Sequence, residues 1–328
     1  MDMISDFDLT GSNTFGLKSS ARRAVIVDDP EMLPALAHES AASGLPLRIL
    51  GGGSNVVLSE RLEAIVALMR IGGRQVVRRT ESETIVTAGA GENWHDFVFW
   101  TVAQGIPGLE NLAGIPGTVG AAPIQNIGAY GAQLSDFFLS LEAYDLKDGV
   151  VRTFDAAACR FAYRQSHFKA EPGRHVILSV TLALPTVWRA KRDYAGLDLL
   201  PEQASAREVL DHVVALRASK LPDWRTLGNA GSFFHNPVVS AEKAAEIAGA
   251  PRYPQPDGTV KLSAGWLIEQ CGLKGFRLGP AGTYARHALV LINHGGATST
   301  DITALANHIR GKVREQFGVD LVQEPIAF

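Results

Sequence analysis

The hydrophobic and polar positions of this chain fall into short apolar runs closed by glycine or proline, with one long helical stripe near the carboxyl end. Residues 24–27, AVIV, form a run of buried-strand type. Asp29-Pro30 follows, a capping residue and then the imino acid that suits a first helical turn, so a helix is predicted from there towards Gly44. Arg48-Ile49-Leu50 predicts a strand ending at Gly51, and residues 84–89 predict a further buried strand. Asn93 is placed to cap a helix over 94–104 that stops at Gly105. The middle reads as sheet: 141–144, 150–154 and 176–184 are β-rich, separated by Lys147-Asp148-Gly149 and by a loop over 163–173. A helix over 207–219 runs into Lys220-Leu221-Pro222-Asp223, which breaks it and marks a boundary before a unit starting near Trp224. Beyond it, Ser263 predicts the cap of a helix through Gln270, and 289–292 predicts a buried strand. Ile302, Leu305, Ile309, Val313 and Phe317 form one face of a helix ended by Gly318. A last strand is expected to carry Glu324.

Two stretches do not fit this regular pattern. Residues 114–131, GIPGTVGAAPIQNIGAYG, hold Gly114, Gly117, Gly120, Gly128 and Gly131, with the amides Gln125 and Asn126 and with Ile115, Pro116, Thr118, Ala129 and Tyr130 between them. Bare backbone of this kind permits positive φ and lets N–H groups come close to an anionic or planar ligand. Tight turns or bulges between strands account for such a segment equally well. The second stretch, Gly51-Gly52-Gly53-Ser54-Asn55, follows a predicted strand and adds a hydroxyl and an amide beside exposed N–H groups. Two such loops suit a ligand bridged by a diphosphate. Neither has the G-x-G-x-x-G spacing of a dinucleotide fingerprint, and the lysine of a Walker A loop is missing.

Composition narrows the class without naming the function. At 328 residues and 46% hydrophobic content the chain buries a sizeable core and is long enough for two or three packed units. A net charge of −3 offers no global attraction to nucleic acid or to an anionic membrane, so an anionic substrate has to be met by individual Arg and Lys side chains. Cys159 and Cys271 are far apart and have no metal-ligand spacing, which fits a reducing compartment. The amino terminus lacks a signal-peptide pattern and no segment has the length of a membrane span, so a cytoplasmic location is expected.

Three places carry candidate chemistry. In Tyr163-Arg164-Gln165-Ser166 the planar guanidinium suits a carboxylate or enolate, and a solvated surface arginine is the plainer alternative. Ser232, inside Gly228-Asn229-Ala230-Gly231-Ser232-Phe233-Phe234, is either part of a turn or a hydroxyl held in a partly apolar pocket to transfer a proton. Glu324 lies in an apolar terminal segment, where a carboxylate needs a partner if buried and none if it sits on an exposed edge.

Together and in this order, Asn13-Thr14-Phe15, 51–57, 114–131, 163–166, 228–237, 263–268 and Glu324 resemble the UDP-N-acetylenolpyruvoylglucosamine reductase family over almost the whole chain. The resemblance implies an α+β protein. Its FAD-binding part would be the two-subdomain fold of the vanillyl-alcohol-oxidase type, over 1–75 and 76–220, joined to a C-terminal α/β substrate-binding domain over 221–328. It implies non-covalent FAD held by the two glycine loops, NADPH as co-substrate, and UDP-N-acetylglucosamine enolpyruvate as substrate in peptidoglycan precursor synthesis. No nucleic-acid or membrane partner and a monomer are expected. By matching motifs, Ser232 corresponds to the proton donor, and Arg164 and Glu324 to the residues that polarise the carboxylate and steady the enol-like intermediate. Tyr163, Tyr194, Lys220 and Asn236 fall at substrate-binding positions, with Tyr194 in an insertion over 191–201 similar to the tyrosine loop of the type I subgroup. His235 stands where the family commonly has lysine, and the stretch around Arg286 and His287 matches weakly. The other readings are an FAD-dependent sugar or alcohol oxidase on the same scaffold, for which His95 is the nearest flavin anchor, and a non-catalytic nucleotide-binding protein.

Overall fold

Apolar runs of β-branched residues and leucine make the strands of the computed structural model, which describes residues 1–328. A four-stranded sheet has the order Ile4–Asp8, Ser20–Val27, Arg61–Met69, Leu47–Leu50, the last two strands parallel in a register that pairs Leu47 with Ile65. A five-stranded antiparallel sheet has the order Val150–Asp155, Phe138–Asp145, His175–Pro185, Glu83–Gly89, Arg74–Arg79. The helix Trp94–Ala103 packs its Trp94, Phe97 and Val98 into the same core as Val86, Leu141, Val180 and Leu182. A second core joins Val25, Ile65 and Met69 to Tyr144, Val176 and Leu178, so the region before residue 75 shares its interior with strands after it.

These sheets belong to one compact unit formed by residues 1–7, 21–52 and 63–217; residues 8–20, 53–62 and 218–328 form another. The segments 8–20 and 53–62, expected with the amino-terminal part, group with the carboxyl-terminal unit for a visible reason. Asn293 donates to the Phe15 carbonyl at 2.9 Å, and Val56–Val57 pairs in parallel with Ile326–Ala327. That unit is built on the antiparallel sheet Gly228–Ser232, His287–Asn293, Ala281–Tyr284, Arg277–Leu278, covered by the helices Ala264–Gln270 and Ser299–Phe317. Ile302, Leu305, Ile309 and Val313 are buried along one face of the long helix, as its 3.6-residue spacing requires.

Local signals place most boundaries. Asp29 accepts from the Glu31 N–H and Gly44 closes the helix Leu33–Ser43 in the left-handed region, while Asn93 and Ser263 cap as expected. Two expectations are corrected. The loop over 163–173 contains a short helix, His167–Ala170, because Ser166 accepts from the Lys169 N–H. Glu324 lies just before the final strand, Ile326–Ala327, since Pro325 intervenes without an N–H to offer a ladder.

Candidate functional site

The glycine segment of the first unit uses its glycines in two ways. Gly114, Gly117 and Gly131 have φ of 71°, 121° and 80°, the left-handed side that other residues avoid. Gly120 is needed for closeness instead, because a Cβ there would stand 2.5 Å from that of Ala90. The segment winds into a 3-10 helix, Val119–Gln125, which ends at Asn126 with φ 44°, and then makes the small hairpin Gly128–Ala129 with Ala132–Gln133. Asn126 is buried, and its side chain is taken up by Ser135, Gln133 and the Ala162 carbonyl, so it shapes the loop. Pro116 is exposed, and Ile115, Gln125, Ala129 and Tyr130 are half-buried.

The two glycine loops meet directly at Gly51 and Gly52. A Cβ on Gly52 would lie 2.8 Å from the Gly117 Cα, and one on Gly51 would lie 2.5 Å from the Thr118 hydroxyl oxygen. Backbone therefore rests on backbone, a cradle that side chains would fill, with Gly52 exposed and Gly51 and Gly117 half-exposed. This fits the diphosphate of a dinucleotide such as FAD, which binds where N–H groups can approach without obstruction. The His95 Nδ1 accepts from the Gly114 N–H at 3.0 Å, and burial pushes the Cys159 thiol up to about 12, with Asp155 adding to the shift.

Tyr163 and Arg164 are the central residues of a tight turn in which Ala162 and Gln165 exchange N–H···O=C bonds of 3.1 Å. Arg164 has φ 56°, which costs a non-glycine residue roughly 1–2 kcal/mol. Its guanidinium donates to the Gly128 carbonyl at 3.0 Å and lies 5.3 Å from the Tyr163 ring centre. The cation is thus laid along the glycine segment and not left loose on the surface.

Tyr194 is 44% exposed and meets the Tyr130 ring edge-on at 5.2 Å. Asn111 ties its loop to the glycine hairpin, donating to the carbonyls of both Tyr130 and Lys191. The far end of the loop is fixed on the helix Ala206–Lys220, where the Gly196 carbonyl contacts the His212 Nε2 at 2.7 Å and Leu197 is fully buried. Arg217, on that helix, donates to the Gly114 carbonyl at 3.1 Å, and burial lowers its pKa although the nearby Tyr130 opposes this. Burial also raises the Tyr130 hydroxyl, against the pull of Arg217. Arg217 and Asn111 escape sequence reasoning, because nothing local distinguishes them from other helix and loop residues.

In the second unit, Gly53 has φ 61° and a Cβ there would fall 1.9 Å from the Ser12 carbonyl oxygen; its own carbonyl accepts from the Thr14 N–H. Asn13 is buried and bonds the Leu9 and Leu17 backbones, which holds this loop. Ser54 and Asn55 are half-buried, and Asn55 donates to the Glu324 carbonyl at 3.4 Å.

Ser232 ends the strand Gly228–Ser232 beside a bulge, with Gly231 at φ 69°, so the predicted turn is a bulged strand end. The Glu324 N–H donates to the Phe233 carbonyl at 2.9 Å and His235 donates to the Val322 carbonyl at 2.9 Å. The two segments are locked together in backbone register, which brings Glu324 opposite the residue that follows Ser232. Both side chains of the His235–Glu324 pair are mostly buried, with the His235 Nε2 4.0 Å from the carboxylate.

The Asn236 side-chain oxygen accepts from the Ala264 N–H at 2.9 Å, at the start of the helix Ala264–Gln270. Lys220 is exposed at the end of its helix. Burial lowers the His287 pKa, with Lys220 and Lys274 adding to the effect. Arg286 is exposed at the turn between Ala281–Tyr284 and His287–Asn293.

Residues 223–328 match the family model described as UDP-N-acetylenolpyruvoylglucosamine reductase, C-terminal domain, and residues 21–155 match the model described as FAD binding domain. A UDP-N-acetylenolpyruvoylglucosamine reductase of Burkholderia vietnamiensis strain G4 is 50% identical, the alignment covering 99% of this chain and 97% of that protein. The protein of the same name from Burkholderia multivorans is 49% identical with the same coverage. Among solved structures, UDP-N-acetylenolpyruvylglucosamine reductase (MurB) from Thermus caldophilus superposes with a TM-score of 0.67 at 23% identity, covering 100% of this chain and 98% of its own. The fold is accordingly the α+β one that the sequence implied, an FAD-binding part followed by a C-terminal domain.

Proposed function

Since the chain belongs to the UDP-N-acetylenolpyruvoylglucosamine reductase family, we propose that it reduces UDP-N-acetyl-3-O-(1-carboxyvinyl)-glucosamine to UDP-N-acetylmuramate with NADPH, in peptidoglycan precursor synthesis. FAD bound there would supply the hydride chemistry, linking oxidation of NADPH to reduction of the enolpyruvyl double bond at C3. Gly51, Gly52, Gly114, Gly117, Thr118 and Gly120 would hold its diphosphate and neighbouring atoms, with Gly53, Ser54, Asn55, Gln125, Asn126, Gly128, Ala129, Tyr130 and Gly131 completing the loops.

The remaining chemistry falls to side chains of this protein. Hydride addition at C3 leaves charge at C2, conjugated with the carboxylate, so a cation must meet the developing dianion and an acid must quench it. Arg164 is assigned to the carboxylate, where its fork gives directed charge-assisted bonds. The Ser232 hydroxyl is assigned to deliver the proton to C2, and Glu324 to steady the enol-like intermediate. Tyr163, Tyr194, Lys220 and Asn236 are assigned to the nucleotide sugar. No helix is long and apolar enough to cross a membrane; we place the reaction in the cytoplasm, with one chain as the working unit.

The observation that carries this reading is the backbone bond from the Glu324 N–H to the Phe233 carbonyl, which sets Glu324 in register with the residue that follows Ser232. Ser232→Ala tests it by stopped-flow spectroscopy. NADPH should still bleach the flavin at the parent rate, while reoxidation by the enolpyruvyl substrate should slow by about 10²–10⁴-fold, the range lost with a general acid. Unchanged reoxidation would remove Ser232 from the mechanism.

A further inference from the structure

Arg164 occupies the third position of a four-residue turn at positive φ, a place where such turns favour glycine or asparagine. A side chain as large as arginine stays there only if its surroundings over-determine the backbone. Two contacts do so. The Lys169 ammonium donates to the Arg164 carbonyl at 2.9 Å, reaching back from the short helix that follows. The buried Ser166 hydroxyl accepts from the Lys169 N–H and donates to the Ile124 carbonyl at 2.5 Å, which ties the same helix to the 3-10 helix of the glycine segment.

We propose that Lys169, with Ser166 as its tether, is the positioning residue that holds the Arg164 turn in its strained conformation and so aims the guanidinium. The inference rests on the reading of Arg164 as the carboxylate-binding cation. A free ammonium would satisfy itself in water. Here it is bonded to the one carbonyl whose orientation sets the direction of the Arg164 backbone, while the guanidinium is fixed at its other end on the Gly128 carbonyl. Releasing the carbonyl leaves the arginine present and charged, with its peptide held only by the Gln165 N–H bond to the Ala162 carbonyl, and an ångström of misplacement is enough to matter for a transition-state contact.

A double-mutant cycle in the FAD-loaded full chain tests this, read as single-turnover reoxidation of reduced flavin across substrate concentrations. Lys169→Met should lower the rate at saturating substrate by about 10–100-fold, leave NADPH-driven bleaching unchanged and keep the melting temperature near the parent's. Lys169→Arg, which keeps a cationic donor, should recover most of the rate. In an Arg164→Ala background Lys169→Met should add nothing, because it acts only through the guanidinium.

Full activity of Lys169→Met, or losses that multiply in the double variant, would overturn the inference. Full activity of Arg164→Ala would instead overturn the reading of Arg164 itself. Should Lys169→Met fail to retain flavin, Lys169→Arg and Lys169→Gln carry the test. The arginine variant should be faster with Arg164 present and equal to the glutamine variant without it; equality in both backgrounds would contradict the proposal.

Discussion

Gly52 is required by distance and not by dihedral angle, since a Cβ there would press on the Gly117 Cα at 2.8 Å, and neither backbone can yield without parting the two loops. Overpacking of this kind costs about 1–3 kcal/mol. Gly52→Ala should therefore fold but come off the column with markedly less flavin per chain than the parent, measured as the ratio of visible to ultraviolet absorbance. A full complement of flavin in that variant would show that cofactor retention does not depend on the contact of the loops. At this scale the glycine positions were legible in sequence, and their separate uses were not. Positive φ at Gly117 and close approach at Gly120 look alike until the neighbour, Ala90 in the second case, is known. Arg217 was illegible for the same reason, because its partner is the Gly114 carbonyl 103 positions away.

Elements were legible where the signal is local. Asp29, Asn93, Ser263 and the closing Gly44 and Gly318 define helix ends from within a turn of themselves, whereas the placement of Glu324 depends on Asn55 and Phe233, which no window of sequence contains. The helix Ser299–Phe317 is the clearest case. Thr298 and Asp301 cap each other's backbone, and the apolar stripe behind them is buried, so Thr298→Ala should cost about 1 kcal/mol, seen as a lower midpoint in urea. An unchanged midpoint would mean that packing alone holds the helix start.

The antiparallel pair Phe138–Asp145 and His175–Pro185 ends in the fully buried Asp145. Burial raises its pKa, but bonds from Arg174 and from the Lys147 and Asp148 N–H groups outweigh this and hold the carboxyl well below the usual carboxylate range. A depressed folded pKa contributes stability that is present above the unfolded value of about 3.9 and is lost as pH falls through the lower, folded one. Asp145→Asn should thus be less stable than the parent at neutral pH by about 1–3 kcal/mol. The gap should close in strong acid, and a gap independent of pH would assign the cost to packing instead.

Across the whole molecule the order of motifs was the most readable feature, because the glycine loops, the Arg164 turn, Ser232 and Glu324, each open to a plainer reading alone, resemble one family when taken in order. The grouping of 8–20 and 53–62 with the carboxyl-terminal unit was not readable, since it rests on pairings such as Val56–Val57 with Ile326–Ala327. The net charge of −3 leaves recognition of an anionic nucleotide sugar to individual cations, the part proposed for Arg164 and Lys220. One flavin is to be reduced by NADPH and then reoxidised by an enolpyruvyl nucleotide sugar. The direct measurement is the visible spectrum of the purified protein under anaerobic conditions, first with NADPH and then with UDP-N-acetylglucosamine enolpyruvate. The flavin band should bleach on the first addition and return on the second without oxygen; a band that returns only when air is admitted would contradict reduction of the enolpyruvyl group by this flavin.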